Sequence, residues 1–388
     1  MDKSYIPMMD VWGVVLAPIY IIILTSVLIK INNSMKAGFS SRVIASLFLY
    51  YYLFFLVGTL NPLIPDFPDT RLFSLIISEN YFPPDQSLGV RLFYYITYPF
   101  RIISLFKIEL FILFQLFIFI ISLMVLWKSW QIVLEKNNYS KSLGVHVFLT
   151  LTAVYPAFLL YMPIPLREFF ILFGFSVMVY GLIDKYYNNN GLMYIVLGSI
   201  LLLFGRPQLI VIVIIFFALF QKTKWIKYTL VVGSIFVIPV LFTTILSFKF
   251  TPDFFEYIRN GSFNKYYPMS YGEVEWNTYV DILKDMPSLL MQFLLSPLPL
   301  LHDMNPIHYL AVFMDAIFLI IVYIAVIYAG IRVSKVYVFI FILAASIFSI
   351  WEFHITGAAR HRMPLVMIML PVASYGLLKM YQDIKAKI

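Results

Sequence analysis

Apolar runs long enough to cross a bilayer recur from one end of this chain to the other. They fall at residues 11–30, 43–60, 109–127, 144–162, 168–184, 191–205, 207–221, 228–247, 308–330, 335–351 and 363–380. A helix rises about 1.5 Å per residue, so roughly 20 residues cross a hydrocarbon layer about 30 Å thick. Inside that layer each backbone N–H and C=O must find a partner within the chain, which favours helices. Only 12% of the 388 residues are charged, against about 25% in soluble domains. The expected fold is all-α: one polytopic transmembrane helix bundle over residues 1–388, with about eleven spans. The sixth and seventh runs are short and joined by Gly205, Arg206 and Pro207. They can form a tight hairpin that does not fully cross.

Several function classes drop out. With no cysteine, disulfides, thiolate metal sites and cysteine nucleophiles are excluded. The net charge of +8 is spread over short loops between apolar runs rather than gathered in one basic module, so nucleic acid is not an expected partner. The leading MDKSYIPMMD is not a positive n-region, and a cleaved signal peptide is not expected. There is no phosphate-cradling glycine loop, no HExxH, no GxSxG and no internal repeat.

The basic residues sort by type once the runs are threaded through a membrane. With the N-terminus outside, the inner side receives Lys30, Lys36, Arg42, Lys128, Lys136, Lys141, Lys185, Lys222, Lys224, Lys227, Arg332, Lys335, Lys379, Lys385 and Lys387. Only Glu135, Asp184 and Asp383 oppose them. Positive residues favour the cytoplasmic side of short loops, so the threading is N-out and C-in. Eight of the ten arginines then lie outside: Arg71, Arg91, Arg101, Arg167, Arg206, Arg259, Arg360 and Arg362. Topology has no use for these. A guanidinium binds phosphate or carboxylate with a planar fork.

Two long outer loops result, 61–108 and 248–307. The first opens NPLIPDFPDTRLF, with Asp66 and Asp69 just beyond the second run, and continues into two amphipathic stretches suited to interfacial helices. A carboxylate pair at a bundle mouth suits a general base or a metal ligand, while helix capping is the plainer reading. The second loop holds His302 among acids and tyrosines, with an amphipathic stretch at 279–295. Its polar, aromatic character suits a sugar or peptide, or a solvated connector.

Four motifs lie at outer span ends. In MPIPLREFF, Glu168 suits the start of a helix, whereas Arg167 there suits an anion or a local pair with Glu168. In FGRPQL, Arg206 occupies a tight turn, with Pro207 at a first helical position. In WEFHITGAARHRMP, Glu352, His354, Arg360, His361 and Arg362 form the densest polar cluster near the membrane, and Pro364 is expected to start the last helix. His361 suits a proton shuttle, or one extra donor beside arginines. Asp315 lies about two turns into a span, which marks a functional site or a pair with an outer arginine.

This layout resembles the GT-C class of integral-membrane glycosyltransferases, on the acidic first outer loop with its interfacial helices and on the closing RHRMPLVMIMLPVASYGL. The resemblance implies that Asp66 or Asp69 is the catalytic acid–base, and that a polyprenyl-phosphate-type donor is held by Arg167, Arg206, Arg360 and Arg362. It further implies a glycan or lipid-linked acceptor at the outer face of a bacterial cytoplasmic membrane, in cell-envelope synthesis. An acid pair can also hold a divalent metal ion, as in some of that class. The chain departs from the pattern in an extra N-terminal span and in having no soluble C-terminal domain. A close alternative is the resemblance to Wzy-type polymerases of undecaprenyl-pyrophosphate-linked O-antigen or capsule units, in length, span number and outer arginines. A lipid or sugar transporter is a third reading. It expects Asp315 and the arginines to line a path, but the inner loops lack matching buried ionisable groups and no repeat is seen.

Overall fold

The computed structural model describes residues 10–60, 68–82, 84, 86, 88–206, 209–219, 223–245, 249, 251–266, 271, 273–297, 306–352 and 354–386. Among these the chain is an all-α membrane helix bundle with no strand. The helices are α1 Val11–Met35, α2 Ser41–Leu60, α3 Pro68–Ser78, α4 Leu88–Ile96, α5 Tyr98–Ile103, α6 Ile108–Lys136, α7 Val145–Val154, α8 Pro156–Tyr161 and α9 Glu168–Asn188. They continue with α10 Leu192–Gly205, α11 Ile210–Leu219, α12 Lys224–Ile245, α13 Pro252–Tyr266, α14 Tyr279–Leu295, α15 Pro306–Ala325, α16 Ile331–Val333, α17 Lys335–Trp351 and α18 Ile355–Lys385. Five are long and apolar enough to cross a membrane: α1, α2, α6, α9 and α18. Shorter apolar stretches lie at Val145–Val154, Leu192–Leu203, Val312–Tyr328 and Lys335–Ile350.

Three of the expected boundaries moved at a residue that changes backbone hydrogen bonding. The run at 144–162 is split into α7 and α8, because Pro156 disfavours helical backbone at the residue before it. Tyr155 is accordingly extended, at φ −67° and ψ 114°. The run at 308–330 ends α15 at Ala325 and passes through a wide π-type turn, Val326–Gly330. Pro364 does not start the last helix but sits inside α18, which begins nine residues earlier at Ile355. His354 accepts a hydrogen bond from the Gly357 amide at 3.2 Å and so caps that earlier start. One helix in the second outer loop, α13, was not anticipated by sequence.

The chain divides into two compact units. The first comprises Met1–Gln131, Phe158–Gly181 and Leu192–Pro207; the second Ile132–Ala157, Leu182–Gly191 and Gln208–Ile388. In the first, α1 and α2 form a hairpin. Its turn is held by Asn32, whose side chain donates to Phe39 O at 2.9 Å and accepts from Phe39 N at 3.1 Å. Gln115, inside α6, donates to Met162 O and Ile164 O, both at 2.7 Å. Pro163 and Pro165 bring no N–H to this segment, and the glutamine satisfies its carbonyls instead. Helices α9 and α10 approach through Gly174 and Gly198. A Cβ on Gly198 would lie 2.6 Å from Gly174 O, the small-residue contact common between membrane helices.

The second unit is organised around α18, which packs on α7, α14, α15 and α17. With 31 residues it is about 46 Å long, well beyond a ~30 Å hydrocarbon layer. Its ends are the polar ones: Arg360 to Arg362 near the start, and Lys379, Asp383 and Lys385 near the finish. From His361 to Lys379 the axial distance is roughly 27 Å. An apolar stretch about as long as a hydrocarbon layer is thick therefore separates these two polar groups.

Candidate functional site

A helix leaves its last four carbonyls without helical partners, and in a membrane protein little water is present to take them. Three arginines meet that need. In the first unit, Arg101 is fully buried and donates to Ile76 O in the last turn of α3 (2.8 Å) and to Tyr94 O in the last turn of α4 (2.6 Å). It also donates to Asn80 Oδ1 at 2.7 Å and lies 4.3 Å from the Tyr94 ring centre. In the second unit, Arg259 projects from α13 onto the end of α17, donating to Glu352 O at 2.9 Å and Ser349 O at 3.3 Å. Gln292 Oε1 takes a third bond at 2.6 Å. Burial draws the Arg259 guanidinium down to about 10, with Glu352 opposing the shift, so it remains charged at neutral pH.

Arg362 is the third. It is wholly buried and donates to Phe293 O at 3.0 Å and Ser296 O at 3.1 Å, at the C-terminal end of α14. Its Nε reaches Asp315 Oδ2 at 2.9 Å, and its Nη2 pairs with the same carboxylate. Asp315, 9 residues into α15 and fully buried, thus has an arginine partner. All three nitrogens of Arg362 are engaged with the protein. It was grouped by sequence with the lipid-phosphate ligands, and this geometry removes it from that group. Arg206 of the first unit is likewise buried and bonds Glu168 Oε1 at 3.1 Å. Glu168 opens α9 as expected, and Arg167 lies just before it, partly exposed.

The remaining members of the C-terminal cluster come together at the start of α18. Glu352, 5% exposed, is the residue at the end of α17 whose carbonyl Arg259 holds. Its Oε1 accepts from His354 N at 3.1 Å. Gly357 leaves room for it, since a Cβ there would lie 2.7 Å from that oxygen. Its Oε2 pairs with His361 Nδ1. Nε2 of His361 lies 3.5 Å from Nη2 of Arg360. The His361 side chain is 20% exposed and Arg360 is also partly exposed. A carboxylate, an imidazole and a guanidinium are therefore in sequence from the buried Glu352 to the partly exposed Arg360. His354 is pushed down by burial, reinforced by Arg360 and opposed by Glu352, and so is held neutral.

Asp66 and His302 lie outside the described residues, as does Pro207. Asp69 is the second residue of α3, and its side chain lies outside the description. Among the described residues no group of three or more His, Asp or Glu is arranged to hold a metal ion. Sequence reasoning passed over Arg259 as a loop residue and did not single out Gln115 or Glu109. Glu109 is 3% exposed, and its Oε1 accepts from Asp10 N at 2.7 Å. The signal for both was a lone polar residue in or beside an apolar run. No family model, curated protein or solved structure matches the chain.

Proposed function

We propose that this multi-pass membrane protein is a glycosyltransferase that moves a sugar from a polyprenyl-phosphate-type carrier to a glycan or lipid-linked acceptor. The reading places the reaction at the outer face of a bacterial cytoplasmic membrane, in cell-envelope glycan synthesis. The observation that supports it is the partly exposed Arg360 beside His361 on α18, about 27 Å along the axis from Lys379. A carrier of this class keeps its tail among helices and its phosphate at the boundary, where a guanidinium fork binds it and stabilises charge on the departing oxygen. The transporter reading needs Asp315 to face a path; instead it is enclosed against Arg362.

The test is Arg360→Ala in the cell that carries the gene. Surface glycan should be lost while the protein remains folded in the membrane. Glycan at the normal level sinks the proposal. Purified chain given a pyrophosphate-linked repeat unit separates the polymerase: a ladder from that substrate, with no transfer from an undecaprenyl-phosphate hexose, decides for it.

A further inference from the structure

Glu109 is the second residue of α6 and is only 3% exposed. We propose that it is a proton-binding site, kept by the folded chain as a neutral carboxylic acid with the proton on Oε2, where α1, α2 and α6 meet. The inference goes beyond the transferase reading and does not rest on it.

Three observations carry it. First, the carboxyl is bonded on one side only. Oε1 accepts from Asp10 N at 2.7 Å, whereas Oε2 is buried with no hydrogen-bond partner among the described residues. An ionised carboxylate offers about four lone-pair sites, and away from water it must be paired or hydrogen-bonded on both oxygens. A carboxylic acid has no charge to compensate, and with Oε1 accepting, the O–H belongs on Oε2. Second, among the described residues no cation pairs with Glu109. Lys107 forms its ion pair with Asp10 instead, and the other oxygen of Asp10 accepts from Trp12 N at 2.9 Å.

Third, the walls are close and poor in donors. A Cβ on Gly13 of α1 would collide with Oε2. Tyr51 of α2 meets Phe119 of α6 edge-on, with ring centres 5.3 Å apart. Beside it, Tyr52 is buried with its hydroxyl also unpartnered, near enough to feel the Glu109 charge. Asp10, Lys107 and Tyr52 are the titratable groups that face Glu109.

Two unpartnered oxygens are too few for a divalent metal ion, which takes about six. A proton needs one. The side chains of Asp10 and Lys107 are partly exposed, so water reaches the rim one hydrogen bond from Glu109 and the proton can exchange there. Loss of that proton would set a negative charge against the α1 backbone at Gly13, so the first turn of α1 is the part that must give.

Dicyclohexylcarbodiimide is an apolar reagent that needs a protonated carboxyl. The O–H adds across one C=N bond, and the acyl group then migrates from oxygen to nitrogen, leaving a stable N-acylurea that peptide mass detects. On the purified full chain at neutral pH, Glu109 should be labelled, while the exposed Glu79 and Asp253 should not. Labelling of Glu109 should be lost in alkaline buffer. No labelling at neutral pH overturns the inference. So does protection by sodium or calcium ions at constant pH, which would make the ligand a metal ion.

A second arm uses Glu109→Gln, which keeps an oxygen for Asp10 N and has no acid to titrate. Above about 4.3, where a free glutamate titrates, the unfolded wild type has released the proton that the folded chain still holds. The wild type therefore loses stability relative to the variant as pH rises. Thermal midpoints in detergent should match at neutral pH and favour Glu109→Gln in alkaline buffer. A variant well below wild type at neutral pH, by a gap that alkali does not change, would show an ionised Glu109 and overturn the inference. If the variant fails to accumulate, the carbodiimide arm decides alone. Neither arm reads glycan, so failure here leaves the transferase reading untouched.

Discussion

Arg360 and Arg362 are two residues apart on α18, and the helix turns them roughly 200° from one another. Arg362 faces inward and spends its fork on Asp315, Phe293 O and Ser296 O. Arg360 stays at the partly exposed rim beside His361. The same side-chain chemistry thus does two jobs. Inward, five donors on one planar group close the carbonyl end of α14 and neutralise a buried acid. Outward, the guanidinium lies beside the His361 ring. Arg101 and Arg259 repeat the inward use at other helix ends. Three of the eight arginines expected outside are therefore accounted for by helix-end carbonyls.

The sharpest way to break this comparison is to remove the inward arginine. Arg362→Ala leaves Asp315 charged and buried and strips two carbonyls of their donor. The expected loss is about 3–5 kcal/mol, seen as a large fall in thermal midpoint in detergent and as poor accumulation in membranes. Arg360→Ala, at a partly exposed position, should cost less, about 1 kcal/mol. Equal losses from the two would show that the helix does not divide its arginines in this way.

Gly357→Ala comes next. Its Cβ would meet Glu352 Oε1 at 2.7 Å and His354 Cβ at 3.3 Å, so the carboxylate must move away from His361. Overpacking of this kind costs about 1–3 kcal/mol. The rim should register it more than the core, with glycan synthesis falling further than the stability change alone explains. Retained glycan at wild-type level would mean that the position of Glu352 is not critical. Arg259→Lys should cost less, about 1–2 kcal/mol. A lysine at that distance can serve one carbonyl but not two and Gln292 together.

The helices were legible because apolar length is a one-dimensional property. Most expected runs have a helix over them in the described residues, and the stretch at 279–295 became α14 with matching ends. What could not be read were the pairings. Arg362 meets Asp315, Phe293 and Ser296 across sequence separations of 47, 69 and 66 residues. No local pattern encodes such separations. The C-terminal cluster was visible as a density of ionisable residues, but its division was not. Pro364 suggested a helix start, which put Arg360, His361 and Arg362 in a turn. With the helix running from Ile355, those three become successive residues on a helix, and helical rotation decides which faces in.

The smallest expected effect concerns the cap that sets that start. His354 accepts from Gly357 N through Nδ1, and its ring is held neutral by burial, with Arg360 adding to the shift and Glu352 opposing it. Its folded value lies below the unfolded one of about 6.5. Between the two the unfolded chain binds more protons, so stability falls as pH drops below about 6.5 and levels off under the folded value. Protonation also removes the lone pair that accepts from Gly357, and a side-chain cap is worth about 1 kcal/mol. His354→Asn supplies a capping oxygen that does not titrate in this range. Thermal midpoints measured from pH 7.5 to 5 should therefore decline more steeply for the wild type than for His354→Asn. Parallel curves would mean that acid does not act through this cap, and that the early start of α18 is held mainly by Arg362.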